Sequence, residues 1–549
     1  MRWRVASVSL CLAAGCVLDE PTEPTEHGAS GTASAISGPG TVYATPVIGC
    51  DTPTAGFDRL TEVDRGLAWE LPPIPYPFPL GGVVARDLDR DGDVDLMFDG
   101  FSLGPQVFAN DGAGWFTQTA PLPPLSGAEG WRTSSPDLDG DGLGELLTID
   151  AIQAFVRWNQ GDLSFSAPAK VTESLGTQGS SLQAMAWGDI DSDRDLDLAL
   201  PGNPSGPVSE QARDHLVFND GNGNFGGGWS MPESGLKASS VIAILTDRDN
   251  DGDLDLYWST HFDVGSPTPG RFLRNDGLDD AGRPILVDDA ADVGLDVMFS
   301  AMGVDSADLN EDGVLDYCMT DTYLLCFVSD GVGGWFDAGL AMGLQADSAS
   351  WLGWSVELAD LDNDGHLDAV AAAAGFDDDP AGHRNQIWRG GPDGFTNWTE
   401  EIGFAGTSLD FGVVATDLDG DGYVEVVVNG ERGPRLWQNR CGEGAWLDIE
   451  LVGAGRDLDA IGAQIEVVAG GRTRLREVQG SRGTNQRSGA VHFGLGDVDR
   501  ADRITVRWLD GARTVIEGLE TRRRVTVVHG DAPGLPWLPG PEQVLIEPP

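Results

Sequence analysis

The sequence predicts an all-β repeat architecture, and three observations carry that prediction. A nine-residue acidic pattern occurs seven times along 549 residues. Every copy runs into a short apolar, often β-branched segment such as DLMF, ELLTI, DLALP, DLYW or EVVV, which reads as a strand. Between copies an apolar run, an Asn/Asp/Gly turn and usually an aromatic recur, and that combination reads as a hairpin.

The seven copies are DLDRDGDVD from Asp87, DLDGDGLGE from Asp137, DIDSDRDLD from Asp189, DRDNDGDLD from Asp247, DLNEDGVLD from Asp308, DLDNDGHLD from Asp360 and DLDGDGYVE from Asp417. Their starts lie 50, 52, 58, 61, 52 and 57 residues apart, a period that marks a propeller or solenoid. The hairpins between them include VFANDGAGWF near Phe108, LVFNDGNGNF near Phe218 and CFVSDGVGGWF near Cys326. One repeat therefore supplies about four strands, and seven repeats predict a seven-bladed β-propeller over residues 46–441. The segment FDRLTEVDRGL at 57–67 precedes the first acidic loop and is expected to complete the last blade and close the ring.

The spacing within each copy points to calcium. Carboxylates at positions 1, 3 and 5 of a tight loop turn inward together, Gly at position 6 permits the bend, position 7 offers a carbonyl and position 9 another carboxylate. The predicted ligands are Asp87, Asp89, Asp91, Asp93 and Asp95 in loop 1, and Asp137, Asp139, Asp141 and Glu145 in loop 2. Loop 3 supplies Asp189, Asp191, Asp193 and Asp197, and loop 4 supplies Asp247, Asp249, Asp251 and Asp255. Loop 5 has Asp308, Asn310, Asp312 and Asp316, loop 6 has Asp360, Asp362, Asp364 and Asp368, and loop 7 has Asp417, Asp419, Asp421 and Glu425. Of the 28 sites at positions 1, 3, 5 and 9, 27 are acids, a density that repels itself unless a cation neutralises it. Up to seven structural Ca²⁺ ions are expected. An EF-hand needs a bidentate Glu at position 12, where this chain has Phe98, Thr148, Leu200, Trp258, Met319, Ala371 or Val428, so these are loops between strands.

Composition agrees with this reading. The formal charge of −54 excludes a nucleic-acid partner in the absence of a sizeable basic patch, and a hydrophobic content of 40% argues against disorder. Residues 442–530 hold thirteen Arg and thirteen acids, leaving that stretch neutral and the acidic excess ahead of it. Its alternating patterns, ITVRW and RVTVV, predict a small C-terminal β-sandwich packed on the propeller.

At the N-terminus, charged Met1 to Arg4 and an apolar run to Ala14 read as a signal sequence ending at residue 16. Residues 17–45, rich in Pro, Gly, Ser, Thr and acids, are expected to be a flexible tether, and 531–549 a Pro-rich tail. Setting aside Cys11 in the signal and Cys16, four cysteines remain, an even number that suits an oxidising compartment. Cys318 and Cys326 flank a strand, turn and strand, so a local bridge is expected; Cys50 and Cys441 then pair by elimination, the alternative being four buried thiols.

The loops and hairpins together resemble FG-GAP/VCBS repeats, the propeller units of integrin α-chain heads and of many secreted bacterial proteins. WLDIELVGAGRDLDAIGAQIEVVAGG and VHFGLGDVDRADRITVRWLDG resemble the ASPIC/UnbV domain, and the combination, over about residues 55–530, resembles the cartilage acidic protein-like family. The resemblance implies calcium ligands on the acids named above. Arg194 stands where Gly is expected in loop 3, which implies a strained turn or a guanidinium in place of the ion. LAAGC at 12–16 resembles a bacterial lipobox that would make Cys16 the lipidated residue, with an ordinary signal peptide as the alternative.

No catalytic constellation stands out: the seven His have no zinc spacing, and neither a nucleophile elbow, a Walker loop nor a dinucleotide fingerprint occurs. His366 is expected to face solvent, and Arg522 to Arg524 to form a solvated turn. The expectation is a non-catalytic, exported, monomeric calcium-binding module that meets protein or glycan at the bacterial cell surface, tied to a membrane only through a lipid anchor. The alternatives are a structural envelope protein and, last, a propeller hydrolase or lyase.

Overall fold

A computed structural model describes residues 33, 35–50, 61–67 and 81–546, apart from 100–103, 123–124, 126–131, 150–152, 172–179, 183, 205–213, 227–228, 231–239, 261–268, 299–300, 349–350, 376–382, 405–408, 488, 539 and 541–542. The signal sequence, Cys16 and most of the expected tether lie outside the described residues.

Among these residues the protein is nearly all β, with two single-turn helices at Ala290–Val293 and Thr399–Ile402. Seven antiparallel sheets of the same four-strand order follow one another along the chain, each built from consecutive strands except the third, which skips Gly202–Pro204, and the last. Their first strands are Val83–Arg86, Arg132–Ser134, Ala186–Gly188, Ser240–Thr246, Gly303–Ala307, Gly353–Ala359 and Asp410–Thr416, every residue of which is buried. The second strands begin at the ninth position of the acidic loops, from Asp95–Phe98 to Glu425–Gly430, or one residue later at Leu146–Ile149, and are as fully buried. Runs such as DLYWST and DAVAAA are apolar on both faces because each sheet packs between two others.

The ring closes where the sequence places the closure. Thr61–Val63 supplies the outer strand of the seventh sheet, with Glu62 opposite Trp437 and Val63 opposite Leu436. Cys50 is bonded to Cys441 across the same junction, and Cys318 to Cys326 between adjacent strands of the fifth sheet.

Neighbouring sheets are also joined by asparagines in or just beyond their third strands. Asn110 donates to the carbonyl of Leu418 in loop 7, Asn159 to Leu88 in loop 1, Asn219 to Leu138 in loop 2, Asn275 to Ile190 in loop 3 and Asn439 to Leu361 in loop 6, at 2.7–3.1 Å. Each of the five also donates to the position 8 carbonyl of its own loop. The sequence reading saw only a turn residue here. Ser329 and Gly390 replace the asparagine in the fifth and sixth sheets.

The C-terminal region forms two further five-stranded sheets that share one hydrophobic core containing Leu447, Ile449, Ile465, Ile504, Ile516 and Val525, which is a sandwich. The expected tether is corrected at its end. Ala35–Ser37 pairs with the strand Arg513–Glu520, and Thr41–Ala44 with Arg523–Val528, because Val42 and Ala44 alternate into the sandwich core. The expected tail is corrected too, since Val544–Leu545 extends the same sheet beyond Thr41–Ala44. The run Arg522 to Arg524 is not a solvated turn: Arg523 and Arg524 begin a strand, and the three guanidinium groups pair with Asp499, Glu520 and Asp417.

One segment of this domain enters the ring. Residues 476–487 hydrogen-bond to inner strands or loops of six sheets, through partners such as Val83, Ser135, Asp247, Ser306, Glu357 and Val413. Gly480 lies against Trp187 of the third sheet, where a Cβ would come within 2.9 Å of the ring. Asn485–Arg487 adds a parallel strand to Val83–Ala85. Arg482 and Arg487 sit 2.8 and 3.1 Å from Glu357, so this buried acid is matched by charge.

Replacing Asn219 by Ala leaves the buried carbonyls of Leu138 and Leu196 without that donor, and a loss of about 1–3 kcal/mol in unfolding free energy is expected. Denaturant unfolding with an unchanged circular-dichroism spectrum checks this.

Candidate functional site

Each acidic loop joins the first strand of its sheet to the second, and one backbone geometry recurs in all seven. Position 4 is left-handed throughout, at Arg90, Gly140, Ser192, Asn250, Glu311, Asn363 and Gly420, with φ of 55–78°. Position 6 is left-handed as well, Gly in six loops and Arg194 in loop 3 at φ 72°, a conformation that costs a side chain more than it costs glycine. These turns aim the N–H of position 6 at the position 1 carboxylate in every loop, at 2.7–3.2 Å. Position 5 accepts the N–H of position 7 in every loop.

The position 9 acid works from the other side. In loops 1, 4, 5, 6 and 7 one of its oxygens accepts the N–H of position 2 and the other an N–H at the end of the third strand, as Asp95 does with Leu88 and Asn110. Glu145 keeps the first of these bonds and Asp197 the second. The acid thereby pins the loop over its own sheet.

Carboxylate oxygens from positions 1, 3 and 9 come within 4.8 Å of one another in loops 1, 2 and 3, as do those of positions 1, 3 and 5 in loop 4. Several of these oxygens are buried without a hydrogen-bond partner: Asp87 Oδ1 and Asp89 Oδ1 in loop 1, Glu145 Oε1 in loop 2, Asp191 Oδ1 and Asp197 Oδ2 in loop 3, and Asp419 Oδ1 in loop 7. Buried acceptors left this way are expensive, and hard oxygen donors grouped around one point suit a divalent cation such as calcium. Asp93, also expected as a ligand, has its carboxylate against Gly112 of the hairpin and stands outside the group of Asp87, Asp89 and Asp95.

Burial, and after it neighbouring carboxylates, hold these acids well above the ordinary carboxylate range. Asp87 is pushed up to about 6, Asp137, Asp189 and Asp247 to about 7, Asp95 and Asp255 to about 8, and Glu145 to about 10.

The C-terminal domain reaches every loop. Glu450 pairs with Arg90 of loop 1, Asp459 accepts the Asp137 N–H in loop 2, and the Arg456 N–H donates to the Arg194 carbonyl in loop 3. Glu477 accepts the Asp247 N–H, the Leu475 carbonyl accepts the Asp308 N–H, His492 meets Asn363 and Arg524 pairs with Asp417. A cavity of about 500 Å³ remains between this domain and loop 1, lined by charged groups including Asp87, Arg90, Glu450 and Arg524.

Two expectations are corrected by these contacts. The Arg194 guanidinium does not replace an ion in loop 3, because it points to Asp510 and Asp531 of the sandwich, 3.4 Å from each. His366 does not simply project into solvent: it is half-buried, with both ring nitrogens 3.0 Å from the Arg472 guanidinium.

The sheets and their acidic loops define a β-propeller-type repeat protein with a C-terminal sandwich seated on the loops. Residues 137–200 and 360–428 match the FG-GAP-like repeat, and residues 453–534 match ASPIC and UnbV; the chain carries both. No curated protein matches the chain. Among solved structures it is similar in fold to an Agrocybe aegerita lectin recognising non-reducing terminal N-acetylglucosamine, at 18% identity over 63% of this chain and 88% of that one, TM-score 0.39. It is also similar to BBS1N in complex with ARL6DN, at 8% identity over 70% and 96% of the two chains, TM-score 0.39. The Dos1 propeller matches at 11% identity over 63% and 77%, TM-score 0.35.

The pH dependence follows from the raised acids. Their folded values lie above the unfolded ones, so the folded state binds more protons, and that stability is present at acidic pH and lost as pH rises. In chelator, the thermal midpoint is expected to fall between about pH 4 and pH 8, the interval between the unfolded values and those reached by Asp137, Asp189 and Asp95. Millimolar calcium is expected to flatten that decline, as a cation neutralises what a proton otherwise would.

Proposed function

We propose that this protein is an exported, calcium-loaded propeller that acts as a non-catalytic binding or adhesion module for protein or glycan at the cell surface. The observation that carries the calcium reading is the set of buried, partnerless carboxylate oxygens that converge in loops 1, 2 and 3. The ions are structural, held by positions 1, 3, 5 and 9, with affinities of roughly 10⁻⁴ to 10⁻³ M as in extracellular modules. Two disulfides accord with an oxidising compartment, and a lipid on Cys16 would supply the anchor.

A binding role is supported by what the domain leaves open. Residues 476–487 fill the ring and the sandwich covers the loops, so a partner meets the rim or the face away from the loops. Tyr323, Val332, Phe336 and Leu340, all strongly exposed, belong to the fifth sheet and its connections and offer apolar side chains on this outer edge.

Native mass spectrometry of the folded chain in millimolar calcium is expected to count several bound ions, and calcium is expected to raise the thermal midpoint relative to chelator by mass action. An ion-free chain with no shift would remove the calcium reading. Glycan-array and protein-capture measurements then test binding, where loss of a captured partner on Phe336→Ala is the expected result.

A further inference from the structure

Loop 6 differs from the rest in who satisfies its carboxylates. Asp360 accepts the N–H groups of Asp364 and Gly365, and Asp368 those of Leu361 and Gly390. Asp362 Oδ1 and Asp364 Oδ1 accept the N–H groups of Asp364 and His366. The two oxygens left over, Asp362 Oδ2 and Asp364 Oδ2, are taken by one guanidinium: Arg389 Nε lies 2.8 Å from the former, and Nη2 lies 2.6 and 2.9 Å from the two. All eight oxygens of the loop therefore have a donor, as do those of loop 5, but there the neutral Asn310 amide takes Asp312 Oδ2, whereas in loop 6 the donor to positions 3 and 5 carries a charge. At the same position 3, Asp89, Asp191 and Asp419 each keep a buried oxygen without one.

Arg389 ends the third strand of its sheet, where the other sheets have Ala109, Trp158, Phe218, Arg274, Val328 and Gln438. Arg274 is the same residue in the same place, yet its guanidinium turns to Asp276 at 2.7 Å and Asp289 at 3.4 Å, off loop 4. Arg389 is held over its loop by Trp398, whose ring centre is 5.2 Å from the guanidinium carbon. The loop is also sealed above, since a Cβ on Gly494 of the sandwich would collide with Asp360 Oδ2. A planar, permanently charged fork bridging two carboxylates supplies what a divalent ion supplies in a hard oxygen cage.

We propose that Arg389 is the built-in counter-ion of loop 6, so that this loop takes no calcium while loops 1, 2 and 3 do. This rests on the calcium reading above. One of the seven repeats keeps its geometry independently of ambient calcium, and the ion count stays below the loop count.

The test counts ions on the folded chain by native mass spectrometry in millimolar calcium and measures melting in chelator. Arg389→Gln is expected to gain one ion, with terbium luminescence sensitised by nearby tryptophan rising in parallel, and to melt below the parent in chelator. Asp362→Asn is expected to leave the count unchanged, whereas Asp89→Asn, the same position in loop 1, loses one ion. Seven ions on the parent, or loss of an ion in Asp362→Asn, overturns the proposal. A parent without any ion removes the calcium reading instead, and Arg389→Gln melting in chelator like the parent would then still overturn the counter-ion role.

Discussion

The structure depends on the carboxylate at the ninth loop position. It stands at the head of the second strand, where one residue must join a loop to two strands at once, and in five sheets its two oxygens hold an N–H from each. That task requires an acceptor with two oxygens, which a neutral side chain of the same size does not offer. It also buries a charge beside three others, and the elevated proton affinity of these acids is the measure of that conflict. A proton, a metal ion or a guanidinium are three ways out, and the chain holds positions suited to each.

The repeats explain why so much of the fold was legible. Asp and Gly at fixed spacing specify the loop locally, and all seven copies adopt the same turn, even where Arg194 occupies a glycine position. The closing strand at Thr61–Val63 and both disulfides were readable because seven similar units leave few partners unassigned. What escaped was long-range. Nothing near Asn219 in sequence reveals that its amide reaches Leu138 in the preceding repeat, and the strands at 35–44 read as linker because their partners lie more than 470 residues away. The candidate ligands were legible as residue types, but their differences were not: loops 1 and 6 carry the same Asp at positions 1, 3, 5 and 9, and Arg389 bridges two of them in loop 6 alone.

The C-terminal sandwich is better described as part of the ring's interior than as an appendage. Its segment 476–487 matches the buried acids of the inner strands with arginines and threads between sheets through glycines, Gly480 against Trp187 and Gly483 against Ile242. Its strands carry Glu450, Glu477 and Arg524 to the loops, and a turn carries Asp459. The neutral balance of residues 442–530 conceals this, since acids and arginines are assigned to different loops.

The closure has a consequence for biosynthesis. The residues that complete the seventh sheet and two strands of the sandwich leave the ribosome well before their partners at 435–438, 513–517 and 525–528. These strands therefore wait unpaired while all seven acidic repeats are made. The ring cannot lock before its seventh repeat and the domain that fills it have both arrived.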